Sequence, residues 1–189
     1  VKLFFGCGPN SNLRDKGYKN VDIRKFDHVD YCIDISQELP FKKNSIDEIY
    51  AESVLEHIPH MLPRYDADGI VLLNTIWVLE EWRRVLKIGG KLKLKVPNCE
   101  CIFKSYTGGR QKLKDIIIWT WGGTMCVENQ HLIGFDQELI TEVLNKAGFY
   151  DIGFMNGQYH DKPFRREGND EMLVIAVKHE KKKADESNT

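Results

Sequence analysis

The stretch Lys2-Leu3-Phe4-Phe5-Gly6-Cys7-Gly8-Pro9 decides how this chain is read. Its first four residues, three of them large and apolar, read as a buried strand that stops at Gly6. Glycine at Gly6 and Gly8 lets the main chain turn sharply and lets a ligand approach the backbone. A Gly-x-Gly pair alone is equally an ordinary tight turn. No third glycine completes the dinucleotide fingerprint, which argues against a nicotinamide enzyme. The rest of the chain therefore has to carry the reading.

Working outward, residues 20–23 read as a short second strand and 29–33 as a third, ending at Asp34. The fourth, 46–51, is entered through the turn-like Lys42-Lys43-Asn44-Ser45. In the fifth, 91–96, Leu92, Leu94 and Val96 alternate with lysines; Gly89-Gly90 precede it and Pro97 ends it. Residues 150–155 and 172–177 supply the sixth and seventh. Leu72, Ile76, Leu79, Trp82 and Leu86 repeat at helical spacing, with Asp68 as N-cap and Gly89 as the stop. Leu139, Ile140, Val143, Leu144 and Ala147 form a second helical face, capped by Asp136 and ended by Gly148. Alternating strands and helices predict a mainly parallel sheet covered on both faces. Residues 156–170 leave no room for a helix, so the last two strands pair antiparallel. Residues 9–19, with Pro9, Asn10 and Gly17, predict a loop or a single turn where a helix of several turns is usual.

A length of 189 residues favours one domain, 1–179, followed by a charged, disordered tail, 180–189. The net charge of −1 gives no global attraction to nucleic acid or to an anionic membrane. The longest apolar run, 116–127, is interrupted by Gly122-Gly123 and too short to span a bilayer. No signal peptide opens the chain, and a cytoplasmic setting is expected. The sequence starts without Met and almost on a strand, as a chain with residues missing upstream does. Five irregularly spaced cysteines do not form a disulfide framework, and Cys99-x-Cys101 lacks the two-residue gap of zinc knuckles. Free thiols and no metal are the expectation.

Three strand ends then offer chemistry in order. After the glycines, Asp22 closes the second strand, where a carboxylate can accept hydrogen bonds from both hydroxyls of a ribose. Its bland alternative is an exposed strand-end acid. Asp34 closes the third, followed by Ile35, Leu39, Pro40 and Phe41. An acid there can accept from an adenine amino group while apolar residues sandwich the ring; a capping acid and a turn over the core is the alternative.

The segments LFFGCGPN, NVDI, DISQELPFKKNSIDEIYAESVLEHI, EEWRRVLKIGGKLKLKVPN and HLIGFDQELITEVLNKAGF resemble the successive motifs of type-11 class I S-adenosylmethionine-dependent methyltransferases. The resemblance covers roughly residues 2–149. It implies a Rossmann-like α/β fold, a seven-stranded mixed sheet of order 3-2-1-4-5-7-6 with the last strand antiparallel and helices on both faces. It implies S-adenosylmethionine as cofactor and S-adenosylhomocysteine as product. Gly6 and Gly8 would face the methionine part, Asp22 the ribose, and Asp34 with Ile35 the adenine, with Phe5, Cys7 and Ile23 also among the cofactor-binding residues. Glu52 and Ser53 would border the sulfonium and acceptor pocket.

For the acceptor, the segment 103–130 is the least family-like and the richest in aromatic residues and glycine. Tyr106 and Trp121 are its candidates for stacking on a sugar or ring; the alternative is a helix packing Ile116, Ile117 and Trp119 on the core. His57 and His131 are candidate general bases, since imidazole titrates in the useful range. Each can equally cap a carbonyl or fix a loop. The expected partner is a small-molecule methyl acceptor, with an RNA methyltransferase or a non-catalytic cofactor-binding protein as rivals.

Overall fold

The computed structural model describes residues 1–58, 64–66, 69–71, 73–123, 129–155 and 170–180. Expectations about Asp68, Leu72 and the tail beyond residue 180 lie outside the described residues.

Seven strands form one sheet: β1 (Lys2–Phe5), β2 (Tyr18–Asp22), β3 (Tyr31–Cys32), β4 (Ile46–Glu52), β5 (Leu86–Pro97), β6 (Tyr150–Met155) and β7 (Glu171–Val177). Their order is β3-β2-β1-β4-β5-β7-β6. Strands β1 to β5 pair in parallel, while β7 runs antiparallel to both β5 and β6. This is the expected topology. Register sets where the strands end: Phe5 of β1 lies between Val21 of β2 and Ala51 of β4. The three strands therefore end level, and Gly6, Asp22 and Ser53 emerge side by side. A short hairpin, Arg64–Asp66 with Gly69–Val71, stands apart from the sheet.

Strand alternation sorts the side chains. Leu3, Phe5, Ile49, Ala51, Leu92, Leu94 and Val96 enter the main core with α1 (Leu73–Val85) and α4 (Gln137–Lys146). Trp82 of α1 is fully buried, edge-on to Phe5 at 5.0 Å between ring centroids. Its indole N–H donates to the Ile35 carbonyl at 2.9 Å, so the ring's polar handle is satisfied. Asp136 caps α4 as expected, its Oδ1 accepting from the Leu139 N–H at 2.8 Å.

The opposite face carries a smaller cluster, Phe4, Cys7, Tyr18, Tyr50 and Leu173, to which no α-helix among the described residues contributes. The cause is the segment 9–19, which forms only the 3-10 turn Arg14–Lys16. Ion pairs line this face instead: Lys93 with Glu48 at 2.9 Å, and Lys95 with Glu52 and Glu171 at 2.8 and 3.1 Å.

Two local expectations need correction. The helix α1 ends at Val85, not at Gly89, and Leu86 opens β5 opposite Ile46. Leu86 is buried from the strand, so the apolar period outruns the helix. The segment after β5 forms two helices, α2 (Cys99–Thr107) and α3 (Leu113–Trp121). Of the α3 isoleucines only Ile116 is buried; Ile117 and Ile118 are exposed.

Candidate active site

Gly6, Asp22 and Ser53 meet where strand order reverses between β1 and β4, the usual place for a ligand in an open α/β sheet. A cleft of about 370 Å³ opens there, within the range of small-molecule sites. Gly6, Asp22, Ile23 and Arg24 form one part of its wall, and Asp34, Ile35 and Ser36 come from the turn after β3. Ser53, Val54, His57 and Ile58, with Asn129 and Leu132, form the part beyond β4.

Gly6 and Gly8 both adopt left-handed backbone, with φ of 66° and 60°. A Cβ on Gly6 would lie 2.1 Å from a Val54 methyl, so space and conformation both demand glycine. At Gly8 conformation alone does, the nearest atom to a Cβ being an Arg24 nitrogen at 3.9 Å. The N–H groups of Gly6 and Cys7 donate to the Val21 carbonyl at 2.8 and 3.2 Å, which ties the turn to β2. Ser53, in the cleft wall, also has positive φ, 50°, a strained position of the kind that functional sites hold.

Asp22 is nearly fully buried and already engaged. Its Oδ2 accepts from the Gly8 N–H at 2.8 Å; its Oδ1 accepts from the Arg24 N–H and Nε at 2.9 and 3.2 Å. With two lone pairs per oxygen, one acceptor position remains, on Oδ2. Chelation of both hydroxyls of a ribose by this carboxylate therefore requires the Arg24 guanidinium, which also lies over Phe26, to swing away. At Asp34, Oδ1 accepts from the N–H and hydroxyl of Ser36 at 2.9 and 2.7 Å, and Oδ2 keeps its lone pairs.

Beyond β4, His57 ends the 3-10 turn Leu55–His57. Its Nδ1 lies 2.9 Å from the Gln130 carbonyl oxygen. A carbonyl only accepts, so Nδ1 carries the proton and Nε2 presents a lone pair. Burial lowers the His57 pKa and keeps the ring neutral at pH 7. His131 repeats the pattern with the Trp119 carbonyl at 3.1 Å; burial, then the neighbouring His57, lowers its pKa. The two rings pack edge-on, 4.7 Å between centroids. Next to them Glu56 is 1% exposed, and neither carboxylate oxygen has a hydrogen-bond partner. Burial pushes its carboxyl up to about 8.

Of the residues picked out from the sequence, Gly6, Asp22, Ile23, Asp34, Ile35, Ser53 and His57 border one cleft. Phe5 and Cys7 do not: alternation along β1 sends Phe5 into the main core, and the turn at Gly6 delivers Cys7 to the cluster on the opposite face; burial pushes the Cys7 thiol up to about 11. Gly8 acts through Asp22 and does not line the wall. Glu52 is turned away, paired with Lys95 and accepting from the Tyr50 hydroxyl at 2.8 Å. His131 stands against His57 and not in the wall. Tyr106 and Trp121 lie outside the lining, 42% and 59% exposed on α2 and α3. Arg24, Ser36, Val54, Ile58, Asn129 and Leu132 line the cleft without having been picked out singly, although Asn129 falls in the expected acceptor segment 103–130. Arg24 and Ser36 sit two residues after Asp22 and Asp34, within reach of an Asx-type turn, which is a readable signal. No local signal picks out Asn129 or Leu132 singly.

Residues 4–94 match the family model of the methyltransferase domain. The fold is similar to a structure from Thermotoga maritima described as a possible histamine N-methyltransferase: 16% identity, 94% of this chain and 81% of that one, TM-score 0.60. It is similar to an S-adenosylmethionine-dependent methyltransferase from Archaeoglobus fulgidus: 15% identity, 94% and 85% coverage, TM-score 0.60. Phosphoethanolamine N-methyltransferase 2 of Haemonchus contortus, solved with S-adenosyl-L-methionine, aligns over 95% of this chain and 48% of its own, at 16% identity and TM-score 0.53. No curated protein matches the chain.

Proposed function

We propose that this chain is a class I S-adenosylmethionine-dependent methyltransferase, its residues 4–94 matching the methyltransferase-domain model, and that the cleft at Gly6 holds that cofactor and serves a small-molecule acceptor. The acceptor atom is an oxygen or a nitrogen. The observation that carries the reading is one continuous cleft bordered by Gly6, Asp22, Asp34, Ser53 and His57.

The residues present fit the cofactor. A left-handed glycine turn leaves the backbone bare beside the cleft. The remaining acceptor position of Asp22 suits a ribose hydroxyl, and the unpartnered oxygen of Asp34 suits the amino group of adenine. Ile23 and Ile35 offer apolar surface for the ring. Bound there, the cofactor supplies a methyl group already made electrophilic by its sulfonium. The chain is left to position the acceptor and exclude water. Ser53, Val54, His57 and Ile58 do this from the β4 side, with Asn129 and Leu132 closing the wall. An acceptor that arrives as an alcohol must lose its proton. In the ion-free protein His57 Nε2 takes it, and Nδ1–H stays on the Gln130 carbonyl. A free amine needs no base.

The volume of the cleft and the net charge of −1 support a small acceptor over nucleic acid. No helix among the described residues is long and apolar enough to cross a membrane. The test is incubation of the chain with methyl-labelled S-adenosylmethionine and pools of small amines, sugars and hydroxy acids. Label is expected in a dialysable product. Label transferred to RNA alone would contradict the small-molecule reading.

A further inference from the structure

At the acceptor end of the cleft, three side chains converge that the proposed methyl transfer does not use together. A ligand atom from each of Glu56, His57 and His131 lies within 4.8 Å of the other two. His57 Nε2 is 4.0 Å from Glu56 Oε1. We propose that these three residues form a binding site for a divalent transition-metal ion such as zinc.

The first argument is tautomeric. Both imidazoles commit Nδ1–H to a backbone carbonyl, Gln130 for His57 and Trp119 for His131, which leaves both Nε2 lone pairs free. Metal-ligating histidines are held in this way, with a carbonyl fixing both ring orientation and tautomer. The second argument is the carboxylate. Glu56 is 1% exposed, and among the described residues neither oxygen meets a partner in full hydrogen-bond geometry, a costly state that a bound cation would relieve. The third is rigidity. The Leu132 N–H donates to the Glu56 carbonyl at 2.8 Å, so the segment carrying His131 is stitched to the turn carrying Glu56 and His57.

Donor types agree, and the distances come near. Around a tetrahedral ion with bonds of about 2.0–2.1 Å, ligand atoms sit roughly 3.3 Å apart. The separations here, 4.0 Å between His57 and Glu56 and within 4.8 Å across the set, would have to close by roughly 1–1.5 Å on binding. Two neutral imidazoles and one carboxylate suit zinc, iron, cobalt or nickel, and not calcium or magnesium, which prefer all-oxygen shells. Three protein ligands leave a position open, as in catalytic and not structural zinc sites. Since His57 lines the cleft, that position belongs to its acceptor end.

In the ion-loaded protein His57 is a ligand and not a base. An acceptor hydroxyl bound to the ion is acidified, and its proton leaves to solvent. This consequence rests on the methyl-transfer reading; the ion site does not.

The test uses the full chain, stripped with a chelator and titrated with Co²⁺ while visible absorption is recorded. S-adenosylhomocysteine binding is measured in parallel by calorimetry. One Co²⁺ per chain is expected, with the bands of a nitrogen- and oxygen-bound ion, and Zn²⁺ displaces it. Glu56→Gln and His131→Ala should each weaken Co²⁺ binding by at least the roughly 10–100-fold that loss of an outer-shell partner costs. Both variants should keep their affinity for S-adenosylhomocysteine. Absence of Co²⁺ and Zn²⁺ binding in the folded wild-type chain would overturn the proposal. So would undiminished binding in both variants, or a thiolate charge-transfer band, which would move the ion to Cys99 or Cys101. Retained Co²⁺ binding without S-adenosylhomocysteine binding would uphold the ion site and count against the cofactor reading alone.

Discussion

Between Gly6 and Asp34 the cleft wall is held by bonds that span few residues. Asp22 reaches back to Gly8 and forward to Arg24, and Asp34 reaches to Ser36. Around His57 the wall is held by bonds across more than seventy residues: His57 to Gln130, and Glu56 to Leu132. The first region is backbone geometry that three level strand ends present. The second is a tertiary contact between the turn after β4 and the chain before α4. On the proposed reading, the first region holds the cofactor and the second meets the acceptor.

The sharpest way to break the first region is Gly6→Ala. The new methyl must sit in left-handed backbone and against Val54. Strain of about 1–2 kcal/mol and overpacking of about 1–3 kcal/mol are expected to lower stability together, with S-adenosylhomocysteine binding lost. Urea melts and calorimetry check both; a variant that melts and binds like wild type would show that the turn is not constrained as described.

Glu56→Gln probes the second region through pH. The Glu56 carboxyl is raised from its ordinary 4.5 to about 8, so between these values the folded state holds a proton that the unfolded state has lost. Its contribution to stability therefore falls as pH rises through that window, by about 1.4 kcal/mol per pH unit at most. The ion-free variant should gain a few kcal/mol over wild type near pH 8 and nothing near pH 4.5. Urea melts at the two pH values measure this, and a difference that does not change with pH would contradict the burial of an unpartnered carboxyl.

Asp22→Ala should weaken S-adenosylhomocysteine binding by roughly 2–3 kcal/mol, the cost of removing a charged acceptor. Calorimetry on the folded variant decides it, and unchanged affinity would remove Asp22 from the cofactor's contacts. His57→Ala should leave that affinity alone and slow methylation of a hydroxyl acceptor on the order of 100-fold in ion-free protein. Equal loss of affinity would place His57 at the cofactor instead. The smallest effects are expected at Tyr106→Ala and Trp121→Ala. Both are exposed outside the lining, so turnover should change by less than a few-fold; a large loss in either would extend the acceptor site onto α2 and α3.

The same contrast explains what could be read from the sequence. The mainly parallel sheet followed from the alternation of strands and helices, whereas the strand order was what the family resemblance implied; the connection 156–169, expected to hold no helix, lies outside the described residues. Gly6, Asp22 and Asp34 were legible because a strand-end turn leaves its residue types within a few positions. Phe5 and Cys7 belong to the same motif yet lie off the lining, because Phe5 faces the main core and the turn at Gly6 carries Cys7 into the opposite cluster. Glu52 lies off the lining because its lysine partner stands on β5, invisible to local reading. The acceptor end was hardest. Tyr106 and Trp121 drew attention by composition, yet from that part of the chain the wall takes Asn129 and Leu132, which no local signal picks out singly. The convergence of Glu56, His57 and His131 exists only once the chain before α4 folds back on the turn after β4.

The central claim is that the cleft at Gly6 is the cofactor site, and calorimetric titration of the full chain with S-adenosylhomocysteine tests it most directly. The account predicts saturable binding of one molecule per chain, strongly weakened by Asp22→Ala and lost in Gly6→Ala. A folded wild-type chain that binds none, or two variants that bind as well as wild type, would contradict it.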